Sequence, residues 1–252
     1  MSDVSQLRYS RHISLPQIGP DGQQRIEHGS ALVVGLGGLG ATAALYLANA
    51  GLGHLVINDF DRVDVTNLPR QILFRPDDVG AFKTHAAAQK LKAWSPDIRV
   101  TVLNRRLAED ELSEAANACA VVLDCTDNFA TRVRLNQICL EGGTPLVSGA
   151  AIRFEGQLAV FRHDRSGGPC YRCLYSEQDE NFEDCAGQGI LGPVAGTVGC
   201  MMATEALKIL AGLESELAGH LWLYDGLAGS SRSVGIRKRA DCPACAQAAS
   251  AS

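Results

Sequence analysis

Ala31-Leu-Val-Val-Gly35, running directly into Gly35-Leu-Gly-Gly-Leu-Gly40, decides the fold. The first segment is an unbroken apolar, β-branched run, which suits a strand covered on both faces in a parallel sheet. The glycines then turn the chain tightly, and Ala41 to Ala50 has the composition of a helix. His54-Leu-Val-Ile-Asn-Asp59 reads as a second strand. Strand, glycine turn, helix and strand within about thirty residues make a βαβ crossover.

The alternation continues outward from this unit. Lys83 to Trp94 has helical spacing, Arg99-Val-Thr-Val-Leu103 reads as a strand, and Glu109 to Ala118 reads as a helix. Ala120-Val-Val-Leu-Asp124 is another buried strand, Asn128 can cap a helix to about Glu141, and Pro145-Leu-Val-Ser148 begins the next strand. Beyond Ile152, Gln157–Phe161, His220–Tyr224 and Ser233–Arg237 look like strands with little helix between the last two. The expected fold is α/β: a doubly wound, mostly parallel Rossmann-like sheet continued by antiparallel strands. We expect one domain over 1–252, with a helical arm at 1–29, a nucleotide-binding core at 30–152 and a sheet extension at 153–252. The polar, acidic stretch Ser176 to Gly189 reads as a loop.

Composition narrows the function. The 252 residues are 46% hydrophobic and carry a net charge of −5, so a disordered chain and a general nucleic-acid binder are not expected. Residues 1–30 hold no apolar signal core, which points to a cytoplasmic protein. The longest apolar stretch, Gly192 to Leu213, contains Glu205 and Lys208 and reads as a buried helix rather than a membrane span.

The glycine turn is a candidate phosphate site. Gly35 permits the turn, Gly37 and Gly38 let backbone approach an anion, and Gly40 lets helix and strand pack closely. The helix behind the turn offers unpaired N–H groups and a favourable dipole. Asp59, 19 residues past Gly40, stands where an acid accepts ribose hydroxyls. A nicotinamide or flavin oxidoreductase would share these features. Asn67 and Arg70, Lys83 at a helix start, and Asp127-Asn128 beyond a strand end tilt the reading toward a triphosphate. Together they supply two cations, an amide and a carboxylate able to hold magnesium, a set suited to attack on phosphorus. Taken singly, the cations could be solvated surface charges and Asp127-Asn128 an ordinary helix cap.

In order along the chain stand Arg8-Tyr-Ser-Arg11, the glycine run Gly35–Gly40, Asn58-Asp-Phe-Asp61, Asn67-Leu-Pro-Arg-Gln71, Lys83-Thr84, Asp124-Cys-Thr-Asp-Asn128 and Cys170-Tyr-Arg-Cys-Leu174. This ordered set resembles the MoeB/ThiF adenylyltransferases of ubiquitin-like sulfur carriers, relatives of ubiquitin-activating enzymes. The resemblance implies that a carrier's C-terminal Gly-Gly carboxylate attacks the α-phosphate of Mg-ATP, giving an acyl-adenylate and pyrophosphate. It implies nucleotide contacts from Gly38, Asp59, Asn67, Arg70, Lys83, Asp127 and Asn128, with Arg70, Lys83 and Asp127 carrying the chemistry and Asp127 engaging magnesium. Arg11 would reach the nucleotide of a neighbouring protomer, so a homodimer is implied. The molybdopterin carrier is the favoured substrate, with the thiamine carrier as the alternative. Relatives acting on other peptides or on tRNA thio-base pathways, and a catalytically silent binding module, also stay open. Pro69 departs from the family pattern, which often has Gln there. No sulfurtransferase segment follows Cys245, so a separate sulfur donor is expected.

Nine cysteines are present. Cys119, Cys125 and Cys139 lie in apolar segments and read as core. Cys170-x-x-Cys173 and Cys242-x-x-Cys245 are two hooks whose four thiolates would close a structural zinc site. A redox pair is less favoured, since neither hook is expected to open a helix after a strand. The resemblance places a cysteine capable of joining the carrier near Cys185; a bystander thiol is the alternative, and acidic neighbours argue against strong reactivity.

Overall fold

The computed structural model describes residues 3–176 and 189–248. Eight strands form one sheet: β1 (Ser30–Val34), β2 (His54–Asn58), β3 (Arg99–Leu103), β4 (Val121–Asp124), β5 (Leu146–Ile152), β6 (Glu155–Phe161), β7 (His220–Asp225) and β8 (Ser230–Gly235). Their spatial order is β3-β2-β1-β4-β5-β6-β7-β8. The first five pair in parallel, and β5 through β8 pair antiparallel.

From β1 the chain winds outward to β2 and β3, then returns to lay β4 and β5 on the other side. The order therefore reverses between β1 and β4, where open α/β sheets place their ligands at the strands' carboxyl ends. Register fixes what meets there. Val34 pairs with both Asn58 and Asp124. Gly35, Asp59 and the residues after Asp124 consequently leave the sheet along one edge.

Helices α4 (Gly38–Asn49), α5 (Lys83–Trp94) and α9 (Gly192–Leu210) cover one face of the sheet; α6 (Glu109–Asn117) and α7 (Phe129–Gly142) cover the other. Leu47, Leu55, Ile57, Leu91 and Leu123 are fully buried. Each such side chain contributes about 1.5–3 kcal/mol of burial. Small residues let α9 lie close on α4, since a Cβ at Gly199 would stand 2.6 Å from the Leu39 carbonyl oxygen. The charges within α9 are internally satisfied: buried Glu205 pairs with Lys208 at 2.8 Å and accepts from the Ser215 hydroxyl. No helix among the described residues is long and apolar enough to cross a membrane.

The last strand begins earlier than its apolar pattern predicts. Asp225 Oδ1 accepts from the N–H groups of Leu227 and Ala228, both at 2.9 Å, and Gly229 takes φ +65°. That tight turn sets Ser230 opposite Asp225, so Ser230-Ser-Arg pairs through backbone alone with every side chain of β8 exposed. Three short helices precede β1: α1 (Asp3–Arg8), α2 (Ser10–Ile13) and α3 (Gly19–His28). Buried Tyr9 packs on Gly51 at the far end of α4, where a Cβ would stand 2.7 Å from its ring.

One half-buried base gives the fold an acid sensitivity. His163 stacks 6.1 Å from Phe161, and burial pushes its pKa down to about 4, with Asp164 opposing in part. An unfolded histidine titrates near 6.5. The unfolded chain thus binds the extra proton first, and stability present above pH 6.5 is lost as pH falls toward 4. Urea unfolding at pH 7 and pH 4.5 should show a loss that His163→Leu reduces by about 1–3 kcal/mol. An unchanged difference would remove His163 from that account.

Candidate active site

The glycine turn forms as its sequence requires. Gly35 has φ +89°, and a Cβ there would stand 2.8 Å from the Cys125 carbonyl oxygen. A Cβ on Gly40 would collide with the Gly35 carbonyl, so helix and strand meet backbone to backbone. Gly37 faces open space, with nothing within 4 Å of a virtual Cβ. Gly38 is instead buried, 2.8 Å from Ala195 Cβ and 3.2 Å from the Arg70 carbonyl oxygen at its virtual Cβ. It has to be glycine for packing, while its N–H still belongs to the first turn of α4.

Asp59 follows β2 with its carboxylate 8% exposed. Oδ2 accepts from the Leu36 N–H at 2.7 Å and Oδ1 from the Asp61 N–H at 2.8 Å. The acid is therefore anchored to the glycine turn itself. Lys83 opens α5, and its ammonium, 8% exposed, lies 2.9 Å from Asp61 and 3.8 Å from Asp59. The two carboxylates hold this buried charge. Asn67 Oδ1 accepts from the Asp64 N–H at 3.2 Å in a capping box, which fixes the short turn Val65–Asn67. Arg70 donates to the Thr66 carbonyl at 2.8 Å and lies against Gly38.

On the other flank, Asp124 is fully buried. Its Oδ1 accepts from the N–H and hydroxyl of Thr126 at 3.1 and 2.7 Å, and its Oδ2 accepts from the Ser148 hydroxyl at 3.0 Å. These bonds set the turn that presents Asp127, which is exposed. Asn128 caps α7, its Oδ1 accepting from the Thr131 N–H at 3.0 Å. Asp127 also borders a groove of about 630 Å³ that crosses β5 to β8, with Gln157, Tyr224 and Arg232 among its walls.

The ThiF family model matches residues 9–244. The chain belongs to the ThiF family. It is 44% identical over 245 residues to the sulfur carrier protein ThiS adenylyltransferase of Escherichia coli, with 97% of each chain covered. It is 41% identical over 247 residues to the molybdopterin-synthase adenylyltransferase of the same organism, covering 98% of this chain and 99% of that one. The SAMP-activating enzyme E1 of Haloferax volcanii is 44% identical over 248 residues, with 97% and 91% covered. Among solved structures, Escherichia coli MccB with MccA-N7isoASN superposes at a TM-score of 0.84 and 19% identity, covering 97% of this chain and 75% of that one. That last likeness is one of fold. With adenylyltransferases as its relatives, the ThiF-family chain is not read as a dinucleotide oxidoreductase.

Like the fold, the four-cysteine hypothesis meets a geometric test. The Sγ atoms of Cys170, Cys173, Cys242 and Cys245 all lie within 4.8 Å of one another and are buried. Cys170 and Cys242 are 3.6 Å apart, and Cys173 and Cys245 are 3.4 Å apart. Four thiolates at about 2.3 Å from zinc stand roughly 3.8 Å apart, so the donor set fits that ion. The sequence reading needs one correction: each hook does border a helical turn, Cys170 capping α8 (Tyr171–Leu174) and Cys245 opening α10 (Cys245–Ala248). The buried four-sulfur cluster, rather than the absence of helix, separates this site from a redox pair. Cys119, Cys125 and Cys139 are buried core residues, and burial pushes their thiols up.

The structure gathers Gly37, Gly38, Asp59, Asn67, Arg70 and Lys83 about the end of β1, with Asp127 and Asn128 on the β4 flank. Arg11 is exposed in the arm that seats at the opposite end of α4, about 18 Å along that helix, and so is not brought to this chain's own glycine turn. Cys185 lies outside the described residues. Sequence reading missed Asp61, Asp124, Ser148 and the groove walls. Asp61 lay within a quoted motif; Ser148 gave no signal beyond its strand.

Proposed function

We propose that this chain adenylates the C-terminal Gly-Gly carboxylate of a ubiquitin-like sulfur carrier. The observation that carries the reading is the meeting, at one sheet edge, of the glycine turn and its acid and cations with a groove bordered by Asp127. A carboxylate oxygen attacks the α-phosphate of ATP, the bond to the β-phosphate oxygen breaks, and pyrophosphate leaves. No protein nucleophile is needed, so positioning and charge neutralisation supply the catalysis.

In this reading Asp59 accepts the ribose hydroxyls, and the first N–H groups of α4 face the phosphates. Lys83 exchanges its carboxylate partners for phosphate oxygens, Arg70 adds a second cation, and Asn67 offers its amide. Asp127, an exposed hard-oxygen donor, would hold the magnesium that accompanies ATP, with Asn128 ordering the turn. The groove over β5 to β8 accepts the carrier's extended tail, so residues 153–252 serve as the carrier-binding extension within one domain. Arg11 serves a neighbouring protomer in a homodimer. Zinc in the four-cysteine site supplies structural cross-linking, and another protein supplies sulfur in a cytoplasmic pathway.

The molybdopterin carrier is the first candidate. The thiamine carrier has a specific observation in its favour, the 44% identity to a ThiS adenylyltransferase over almost the whole chain. Mass spectrometry of each carrier after incubation with enzyme and Mg-ATP tests the reading. An AMP adduct that disappears when the terminal glycine is deleted supports it; carriers left unmodified would overturn it.

A further inference from the structure

Tyr171 stands between the two cysteines of the first hook and is 2% exposed. Its ring lies 6.2 Å from that of Phe129, the first residue of α7 and the second beyond Asp127. Its backbone N–H donates to Asn136 Oδ1 at 2.8 Å. Asn136 is fully buried and follows Phe129 by two helical turns, so Tyr171 grips one face of α7 at two points. The Asn136 amide nitrogen has no hydrogen-bond partner among the described residues, so the hydrogen bond to Tyr171 is the role its side chain visibly performs.

The four-residue helix α8 is far too short to persist alone. The Cys173 N–H donates to the Cys170 carbonyl at 2.9 Å, and both side chains point into the sulfur cluster. The hook therefore holds the turn that holds Tyr171. We propose that Tyr171 is a positioning residue for the Asp127 turn, carrying the order of the four-cysteine cluster into the first turn of α7. Its consequence for catalysis rests on the reading of Asp127 given above, whereas the physical coupling does not.

Hydrogen exchange reads the coupling without reference to turnover. In zinc-loaded Tyr171→Leu, amides of residues 126–132 should exchange about tenfold faster while those of β1 and β2 keep their protection. Phe161→Leu is the control: Phe161 packs on Tyr171 from the sheet side at 6.3 Å and does not belong to α7. It should loosen β6 and leave 126–132 unchanged. Asn136→Ala, which cuts the second grip and spares the hook, should reproduce the Tyr171 effect should that variant fold poorly. Unchanged protection at 126–132 in both variants with full zinc content would overturn the coupling, as would equal acceleration in Phe161→Leu. Turnover is measured alongside, with kcat expected to fall about tenfold at constant KM for ATP. Faster exchange with normal kcat would leave the coupling standing and remove Asp127 from the catalytic reading.

Discussion

Asp127→Ala is expected to lower kcat for adenylate formation by about 10³-fold or more, with little change in thermal stability. The side chain is exposed at the mouth of the groove, so its removal should move folding free energy by no more than about 0.5 kcal/mol. On the proposed reading the substitution removes the carboxylate that would hold the magnesium accompanying ATP, a contribution worth several kcal/mol at a site of phosphate chemistry. The turn survives the substitution because Asp124, Ser148 and the Asn128 cap hold it through bonds that do not involve the Asp127 carboxylate. ATP–pyrophosphate exchange measured beside a melting curve checks both halves. Near-normal exchange would exclude Asp127 from the mechanism, and an unfolded variant would show that its role is structural.

Cys173→Ser should have the largest effect on stability. Removing one thiolate from the four buried sulfurs would break the tetrahedral donor set proposed for zinc and leave three buried thiols without a metal. A loss of about 3–5 kcal/mol is expected, which for a domain of this size lowers the melting midpoint by roughly 10 °C. Zinc content should fall to background in the same preparation. Below the melting range ATP should still bind, since Asp59, Lys83 and Arg70 are supported by the β1–β2 side of the sheet. Full zinc stoichiometry in the variant would refute the four-cysteine assignment.

Much of the fold was legible because its signals are local. The run Ala31–Gly35 and the glycines after it have few other uses, and Gly35 and Gly40 adopt the turn and the close approach that their sequence demands. Lys83 and Asn128 stand at helix starts, as their patterns indicated. Less legible was what depends on partners distant in sequence. That Lys83 is held by Asp61 and Asp59 follows from the return of the chain after β2, not from any spacing. The Ser148–Asp124 bond requires β4 and β5 to be neighbours in register. The first half of β8, Ser230-Ser-Arg-Ser233, carries no apolar residue, because its pairing comes from a turn at Asp225 and from backbone hydrogen bonds. The groove is a property of four strands together, and none of its residue types marks it in isolation.

The Gly38 position shows how two constraints can share one residue. Its glycine is required by Ala195 and the Arg70 carbonyl, contacts across the fold, while the sequence suggests only phosphate approach. Gly37, by contrast, has nothing within 4 Å of a virtual Cβ, so no packing contact requires its glycine.

The most direct measurement is ATP–pyrophosphate exchange by the purified protein, with the molybdopterin carrier and the thiamine carrier added in turn. Exchange that depends on one carrier and on its intact Gly-Gly end is the predicted result, and it would name the pathway. Absence of exchange with both carriers, in protein that is folded, zinc-loaded and binds ATP, would contradict the proposed activity and leave only the fold.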